Sequence, residues 1–531
     1  MKALILLLPK ILQSLLSCEG ALISITIQGL SLDSRAIKKG DLFFACVGTQ
    51  QDGRDHIDQA IERGASAILR ETQTDEPPIV WRGNVPIINV DHLNEKVSEM
   101  ASIFYDYPSQ KLLMIGLTGT KGKTSCSHLL ANALMKLGQK SAVIGTMGSG
   151  IYGEPYDTSC HQTTPDPIFV QALLHRFVEE QVQAVTMEAS SHALHQHRVK
   201  AVDFKIGVFT NLTRDHFDYH ETAENYAAAK HLLFEMPSLE AGVFNLDDPI
   251  GAIWAREFQS HYPVCGYTLS VDRRFDELSI VRARSVEFHP RGFTLDLETP
   301  WGEATVTCAL LGAFNVSNVL AVIAVLGLMH YKLSAIVETV EQFSTVPGRM
   351  QLVGGKNNQP LVVIDFAHTP DALEKALQAI RIHCRGKLIC VFGCGGNRDR
   401  GKRPMMGHIA EMLAEQVIIT NDNVRFEDPA VIVQDILAGC AHPEKIRVEH
   451  DRRLAIQQAI EQASSEDVIL LAGKGHENYQ IIGDQYLPFS ELEIVRQGLR
   501  ARRIKEMRSI FPPSDAQGCA AGEMRQDDGL E

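Results

Sequence analysis

Lys111-Leu-Leu-Met-Ile-Gly-Leu-Thr-Gly119-Thr-Lys-Gly122-Lys123-Thr124 is the stretch around which the rest of the chain organises itself. Its apolar front, Leu112 to Leu117, predicts a strand. From Thr124 to Leu137 the apolar residues Leu130, Ala133, Leu134 and Leu137 fall on one helical face, with Gly138 as the stop. Between strand and helix lie Gly119, Thr120, Lys121, Gly122, Lys123 and Thr124. A glycine-rich turn in that position is the setting of a phosphate loop. Backbone N–H groups can face phosphate oxygens, and the helix N-terminus adds positive potential. Lys123 reaches the outer phosphates, and the Thr124 hydroxyl can ligate Mg²⁺. The longer spacing G-x4-G-K-[ST] is not met, because Leu117 stands where its first glycine would be and Gly116 lies one step further back.

The strand-then-helix rhythm continues outward. Strands are predicted at 141–145, 182–187, 206–210 and 242–245, and a helix at 314–328. Such alternation predicts a parallel, doubly wound sheet. Near Val346-Pro-Gly-Arg349 it starts again, with strands at 361–365, 387–393, 416–420 and 467–472. Upstream, apolar segments such as Asp41 to Val47 and Ala67 to Leu69 are broken by Gly and Asp, and Asp106-Tyr-Pro108-Ser reads as a linker. The fold class is therefore α/β in three domains. Residues 1–110 form a small mixed αβ domain, 111–345 a central P-loop ATPase-like parallel sheet, and 346–511 a Rossmann-like αβ domain. Residues 512–531 read as a disordered tail.

Composition narrows the classes. A chain of 531 residues is too long for one core. With 45% apolar and 22% charged residues it is an ordinary globular protein. The net charge of −14 argues against a nucleic-acid partner. Eleven cysteines without a CxxC pair, Cys390 and Cys394 among them in an apolar strand-like stretch, read as reduced thiols of a cytoplasmic protein. At the N-terminus Pro9 and Lys10 interrupt the apolar run, and Ser17-Cys18-Glu19-Gly20 is a poor cleavage site. Ile11, Leu12, Leu15 and Leu16 instead predict an amphipathic helix. No apolar run of about 18 residues occurs, so no membrane partner is expected.

Two further groups stand at strand ends, where open α/β sheets bind ligands: Glu188 after Val185-Thr-Met187, and His216 after the strand ending at Phe209. Thr124, Glu188 and His216 would converge there on Mg²⁺, which favours hard ligands and phosphate oxygens. His216 and His220 also have an H-x3-H spacing, but no third ligand pattern supports zinc.

These residues carry a resemblance. Leu32-Asp-Ser-Arg35, Gly40-Asp-Leu-Phe-Phe44, the phosphate loop, Thr163-Thr-Pro165, Met187-Glu-Ala-Ser-Ser-His192 and Thr210-Asn-Leu212 with Asp215-His216 run in order along the chain. Tyr226-Ala-Ala-Ala-Lys230, Asn315-x-x-Asn318, Pro347-Gly-Arg349 and Asp365-Phe-Ala-His368-Thr-Pro370 follow. Together they resemble the Mur ligase family of bacterial cell-wall synthesis. The resemblance implies an ATP- and Mg²⁺-dependent amide ligase acting through an acyl phosphate. It implies catalytic roles for Lys123, Glu188, His216 and Lys230, and ATP contacts at the loop, Asn315, Asn318, Arg349 and Asp365. It implies that Lys230 is an N6-carboxylysine, whose carbamate oxygens join Thr124, Glu188 and His216 in holding metal.

The resemblance also assigns substrates. Leu32, Ser34, Gly48, Thr49 and Gln50 would take the UDP end of UDP-MurNAc-L-Ala-D-Glu; Gln162, Thr163, Thr164, Ser190, Gln196 and Arg198 would surround its dipeptide. Asn421-Asp422-Asn423-Val424-Arg425 resembles the D-N-P-R motif of enzymes that accept meso-diaminopimelate, whose second carboxylate Arg425 would pair with. Arg398, Asp422, Asn423, Gly473 and Glu477 match the other contacts. Val424 stands where the family has proline, which predicts a looser loop. L-lysine as acceptor, a folylpolyglutamate synthetase-like ligase and a P-loop regulatory ATPase are the competing readings. The protein is expected to be a monomer.

Overall fold

The computed structural model describes residues 1–8, 22, 24–48, 51–72, 76–160, 162–271, 277–345 and 348–510. The apolar run after Lys111 forms the strand Leu113–Thr118, buried almost along its whole length. A strand apolar on both faces needs cover on both sides. It lies fourth in a ten-stranded sheet whose order is Gly148–Ile151, Ser141–Gly145, Ala184–Glu188, Leu113–Thr118, Phe204–Phe209, Ala241–Asn245, Val264–Thr268, Ser279–His289, Gly292–Thr299 and Gly302–Cys308. From Ser141–Gly145 to Ser279–His289 every pairing is parallel. Antiparallel strands extend both edges. The sheet is thus parallel where the phosphate loop sits and mixed overall. Its far edge alternates buried and exposed residues, as a one-sided antiparallel extension should.

Two helical layers cover this sheet. On one face Lys123–Lys136 packs with Ala313–Leu328, a helix apolar nearly all round and therefore buried. On the other lie Pro167–Glu179 and Pro249–Phe258. Both begin with an Asp cap followed by Pro: Asp166 accepts from the N–H groups of Ile168 and Phe169, and Asp248 from those of Ile250 and Gly251.

The N-terminal sheet runs Gly29–Ser31, Asp41–Ala45, Ala67–Thr72, Val85–Asp91 and Ile79–Arg82, parallel except for the last strand. The described start of the chain holds a short helix, Leu4–Leu7, whose Leu4 and Leu7 pack under this sheet; Ile11, Leu12, Leu15 and Leu16 lie outside the described residues.

By contacts the chain divides into two units, Met1–Ser344 and Thr345–Glu531. The second contains a six-stranded sheet ordered Gln351–Gly354, Leu361–Asp365, Val468–Ala472, Leu388–Phe392, Gln416–Ile419 and Arg447–Val448, and a separate hairpin of Tyr479–Ile482 with Gln485–Pro488. Only its first strand is antiparallel to its neighbour. The helix Glu491–Ile510 ends the described chain, and the expected tail lies beyond it. The described cysteines are unpaired, Cys390 and Cys394 buried among them. Among the described residues no helix is long and apolar enough to cross a membrane.

Leu320, fully buried on the Ala313–Leu328 helix, reports on the contact that supports the phosphate-loop helix. Leu320→Ala is expected to cost about 3 kcal/mol. The check is a lower urea midpoint for the first-unit transition, with the second-unit transition unmoved.

Candidate active site

The phosphate loop turns through two left-handed glycines, Gly119 at φ +142° and Gly122 at φ +87°. A Cβ on Gly119 would come within 2.0 Å of Thr210 Oγ1, and one on Gly122 within 2.8 Å of Asn318 Oδ1. Both positions need glycine for conformation and for space. The neighbouring strand end stitches the loop in place. Thr120 N donates to Asn211 O (2.8 Å) and Lys121 N to Asn211 Oδ1 (2.9 Å), while Thr210 Oγ1 donates to Lys121 O (2.6 Å). Asn318 lies beneath the loop and donates to Asn315 Oδ1 at 3.0 Å.

Two lysines meet on one carbonyl. Lys123 Nζ and Lys230 Nζ each donate to Gly119 O at 2.8 Å, and Lys123 also donates to Thr120 O at 3.1 Å. Lys230 is 1% exposed, so it is not a solvated surface lysine. Burial, followed by the charge of Lys123, depresses its affinity for a proton well below the lysine range. Desolvation lowers Lys123 too, against the pull of Glu188 and Asp215. The Tyr226 ring lies 4.4 Å from Lys230 Nζ, and its hydroxyl is 3.2 Å from Thr120 Oγ1.

Glu188 closes the other side. Its Oε2 accepts from Thr124 Oγ1 (2.9 Å) and Thr146 Oγ1 (3.2 Å), and Oε1 accepts from Thr146 N (2.9 Å). The structure thus gathers Lys123, Thr124, Glu188 and Lys230 around the loop. His216 packs on the same Tyr226 ring, 6.2 Å between centroids, and edge-on to His192 at 4.9 Å. His220 packs on the Tyr226 ring as well, 5.3 Å between centroids, and its Nε2 is 3.0 Å from Ser191 Oγ. Among the described residues no three His, Cys, Asp or Glu side chains form a metal-binding group.

The residues expected around a dipeptide form one network. Arg198 donates to Gln196 Oε1 (2.9 Å), Gln162 Oε1 (2.8 Å) and Thr164 O (2.9 Å). Thr164 Oγ1 donates to Glu188 O (2.7 Å) and lies 3.0 Å from Ser190 Oγ, which ties this network to the loop cluster. Thr163 joins through Thr146 Oγ1 at 3.1 Å. In the N-terminal sheet, Leu32, Ser34 and Gly48 line a cavity of about 530 Å³ with Phe43, Gln59 and Asn94. Thr49 and Gln50 lie outside the described residues.

The second unit carries its own cluster. Asn423 is a hub: its Oδ1 accepts from Lys474 Nζ and from Ile481 N, both at 2.9 Å, and its Nδ2 donates to Glu477 Oε2 at 3.0 Å. Gly473, at φ +119°, leaves no room for a Cβ beside Asp422 Oδ2, 2.7 Å away. Arg425 adopts φ +51° and donates through Nη1 to Gly396 O at 2.9 Å. The loop is held despite Val424. Arg425 N bonds to Ile481 O (3.1 Å), Gly483 N to Arg425 O (2.7 Å), and the Val424 side chain is buried. Backbone pairing with the hairpin does what a proline ring would have done. Arg398 lies exposed on the adjacent loop. Asp365 accepts from Met350 N and Ala367 N, and burial raises its affinity for a proton. Arg349 lies with its guanidinium 5.2 Å from the Phe366 ring; Pro347 and Val346 before it are outside the described residues.

Sequence reading missed four participants. Tyr226, Thr210 and Asn211 stand inside stretches already singled out, but their roles are packing and stitching, which no spacing announces. Thr146 gives only the faint signal of following the strand end at Gly145.

Comparison with known proteins identifies the family. The Mur ligase family profile named for its catalytic domain matches residues 26–105, that of the middle domain 117–326, and that of the glutamate ligase domain 348–475. A UDP-N-acetylmuramoyl-L-alanyl-D-glutamate–2,6-diaminopimelate ligase of Coxiella burnetii is 46% identical over 475 residues, 90% of this chain and 96% of the relative. The chain belongs to the Mur ligase family. The Haemophilus influenzae (strain Rd) ligase of the same name is 44% identical over 478 residues, covering 90% and 97%. A solved structure of a ligase of that name superposes with a TM-score of 0.69 at 35% identity, covering 90% of this chain and 95% of that one. The three-domain α/β architecture is that of the Mur ligases.

His220 offers a test of how tightly this Mur ligase site is closed. Burial, then His192 and His195, pushes its pKa down to about 4 from an ordinary value of 6.5. Between those two values the unfolded chain binds a proton that the folded one refuses, so stability falls as pH drops through the window. His220→Gln is expected to flatten the fall in Tm from pH 6.5 to about 4. Parallel Tm–pH profiles for both proteins would remove the assignment.

Proposed function

We propose that the chain is an ATP- and Mg²⁺-dependent amide ligase that joins meso-2,6-diaminopimelate to UDP-N-acetylmuramoyl-L-alanyl-D-glutamate in peptidoglycan precursor synthesis. The observation that carries this is the Gly119–Thr124 loop with Glu188 hydrogen-bonded to Thr124, in a chain 46% identical to a ligase of that name.

A carboxylate does not acylate an amine at neutral pH. ATP first transfers its γ-phosphoryl group to the substrate carboxylate, giving an acyl phosphate and ADP. The acceptor's amine then attacks the acyl carbon and inorganic phosphate leaves. Transfer of this kind needs positioning and charge neutralisation more than covalent help. Lys123 faces the outer phosphates, and the loop's N–H groups and the helix start at Lys123 add positive potential. Asn315 and Asn318 would add ATP contacts beside the loop, and the family resemblance assigns Arg349 and Asp365 to ATP as well.

The donors fit a hard cation: Thr124 Oγ1 and the Glu188 carboxylate are adjacent oxygens at the end of a buried strand. Mg²⁺ would be held there, and by His216 with Lys230. When bound it supplies charge neutralisation at the phosphates. As an ammonium, Lys230 could not ligate it. Its depressed proton affinity favours the neutral amine that CO₂ needs to form the N6-carboxylysine. The UDP end would lie against Leu32, Ser34, Gly48, Thr49 and Gln50, and the dipeptide within the Arg198 network. Arg425 would pair with the distal carboxylate of the acceptor, Glu477 with its distal ammonium, beside Arg398, Asp422, Asn423 and Gly473. The protein acts as a cytoplasmic monomer, with domains at 1–110, 111–345 and 346–511.

Product mass and phosphate release, with ATP, Mg²⁺ and UDP-MurNAc-L-Ala-D-Glu, test the reading. A tripeptide formed only with meso-diaminopimelate is expected. A product with L-lysine instead would overturn the acceptor, and phosphate release without any amino acid would point to a regulatory ATPase. Arg425→Ala should cost about 2 kcal/mol in kcat/KM for diaminopimelate, the scale of a charge-assisted hydrogen bond. Slow turnover with L-lysine should be unaffected. Activity in CO₂-free buffer should fall and return with bicarbonate.

A further inference from the structure

Arg403 is fully buried, and the function above does not use it. Its guanidinium makes a forked pair with Glu427, Nη1 to Oε1 at 2.6 Å and Nη2 to Oε2 at 2.8 Å. Nη2 also donates to Gly395 O at 3.2 Å, and Nη1 to Asp435 Oδ2 at 2.8 Å. Asp435 is shared with Arg400, whose Nε lies 3.0 Å away. Glu427 in turn accepts from Asn397 N at 2.9 Å. One ion pair therefore grips two loops: Gly395 and Asn397 lead into Arg398, and Glu427 closes the turn that begins at Asp422 and carries Arg425.

The loops are also bonded to each other. Gly396 N donates to Asn423 O (2.9 Å), Arg425 Nη1 to Gly396 O (2.9 Å) and Phe426 N to Asn397 Oδ1 (3.1 Å). Both Asn397 and Arg425 sit at positive φ, +52° and +51°. Non-glycine residues hold that conformation only when their surroundings impose it. Arg403 and the Asn397 N–H hold the Glu427 carboxyl down to about 2, so it stays ionised across any working pH. A buried pair of this kind adds little net stability over apolar residues of the same volume. What it adds here is a fixed spacing between two acceptor-facing loops.

We propose that the Arg403–Glu427 pair is a positioning device that sets the separation of Arg398 and Arg425 and thereby the preference for an acceptor with a second carboxylate. This rests on the diaminopimelate reading. It acts through the two arginines and touches no substrate.

The test is steady-state kinetics of the full chain, wild type against Glu427→Gln, Arg403→Lys and Asn397→Gly. The last removes a loop-to-loop bond at an exposed position and leaves the buried charges alone. In Glu427→Gln the KM for meso-diaminopimelate is expected to rise about tenfold, as misplaced binding groups do. The KM values for ATP and the UDP substrate should stay within about twofold, and the preference over L-lysine should fall. Asn397→Gly should shift the same two quantities less. An unchanged diaminopimelate KM and unchanged preference in the folded variants would overturn the proposal. So would a joint shift of all three KM values and kcat, which is simple destabilisation. If Glu427→Gln and Arg403→Lys fail to fold, Asn397→Gly decides by the same readings. Wild type making no diaminopimelate product would sink the functional reading itself; wild type making it while the variants keep their KM would sink the positioning pair alone.

Discussion

The carbonyl oxygen of Gly119 receives two lysine side chains, and much of the first unit is arranged to make that possible. Lys123 comes from the helix that starts at the loop, and Lys230 from the helix Ala223–His231. Two ammonium groups on one oxygen repel each other, and the low dielectric that burial creates makes the repulsion larger. The fold answers with whatever relieves it: Glu188 and Asp215 near Lys123, the Tyr226 ring against Lys230, and a proton affinity of Lys230 that burial and Lys123 depress. A polyphosphate at the loop would relieve the rest.

Holding that arrangement still requires a rigid frame. The parallel strands Leu113–Thr118, Ala184–Glu188 and Phe204–Phe209 are hydrogen-bonded neighbours, and their C-terminal ends deliver the loop, Glu188 and the Thr210–Asn211 stitches. The apolar helix Ala313–Leu328 backs the loop helix and places Asn318 under Gly122. Loop, carboxylate and lysine are thus positioned by sheet register, which tolerates no slip without turning every side chain to the wrong face.

This is also why so much was legible from residues alone. The buried parallel strands read as continuous apolar runs, and the structure places Ser141–Gly145, Ala241–Asn245, Leu361–Asp365 and Val468–Ala472 within three residues of the predicted limits. The strands of the antiparallel far edge, Gly292–Thr299 and Gly302–Cys308, and Ser279–His289 that joins them to the parallel sheet, were not legible. They expose one face, carry Arg, Glu and Thr on it, and so lack the apolar run that announces a buried strand. The hairpin Tyr479–Pro488 is mostly exposed and escaped for the same reason. At the site, Lys123 and Glu188 could be found because their chemistry is tied to a short motif and a strand end; Lys230, on a helix, was found only through the family resemblance of Tyr226-Ala-Ala-Ala-Lys230. Tyr226, Thr146 and Arg403 act by contact across the fold, and contact is what a linear spacing does not encode.

The second unit shows the same logic in a different currency of charge. Arg403, Arg452 and Lys474 are all fully buried cations, each with at least one carboxylate in reach: Glu427 and Asp435, Glu491, and Glu477 respectively. Arg452 donates to Ala472 O at 2.8 Å, one residue before Gly473, and Lys474 holds Asn423 and Glu477 together. Leucine or methionine would fill these volumes without the desolvation cost. They could not direct bonds at chosen carbonyls and carboxylates, though, and every one of these cations bonds to a loop that carries a proposed acceptor contact. Buried charge in this unit is concentrated where geometry, rather than stability, is at stake. That concentration fits the proposed role of these loops, which would present fixed charges to a small amino acid with two carboxylates and two ammonium groups.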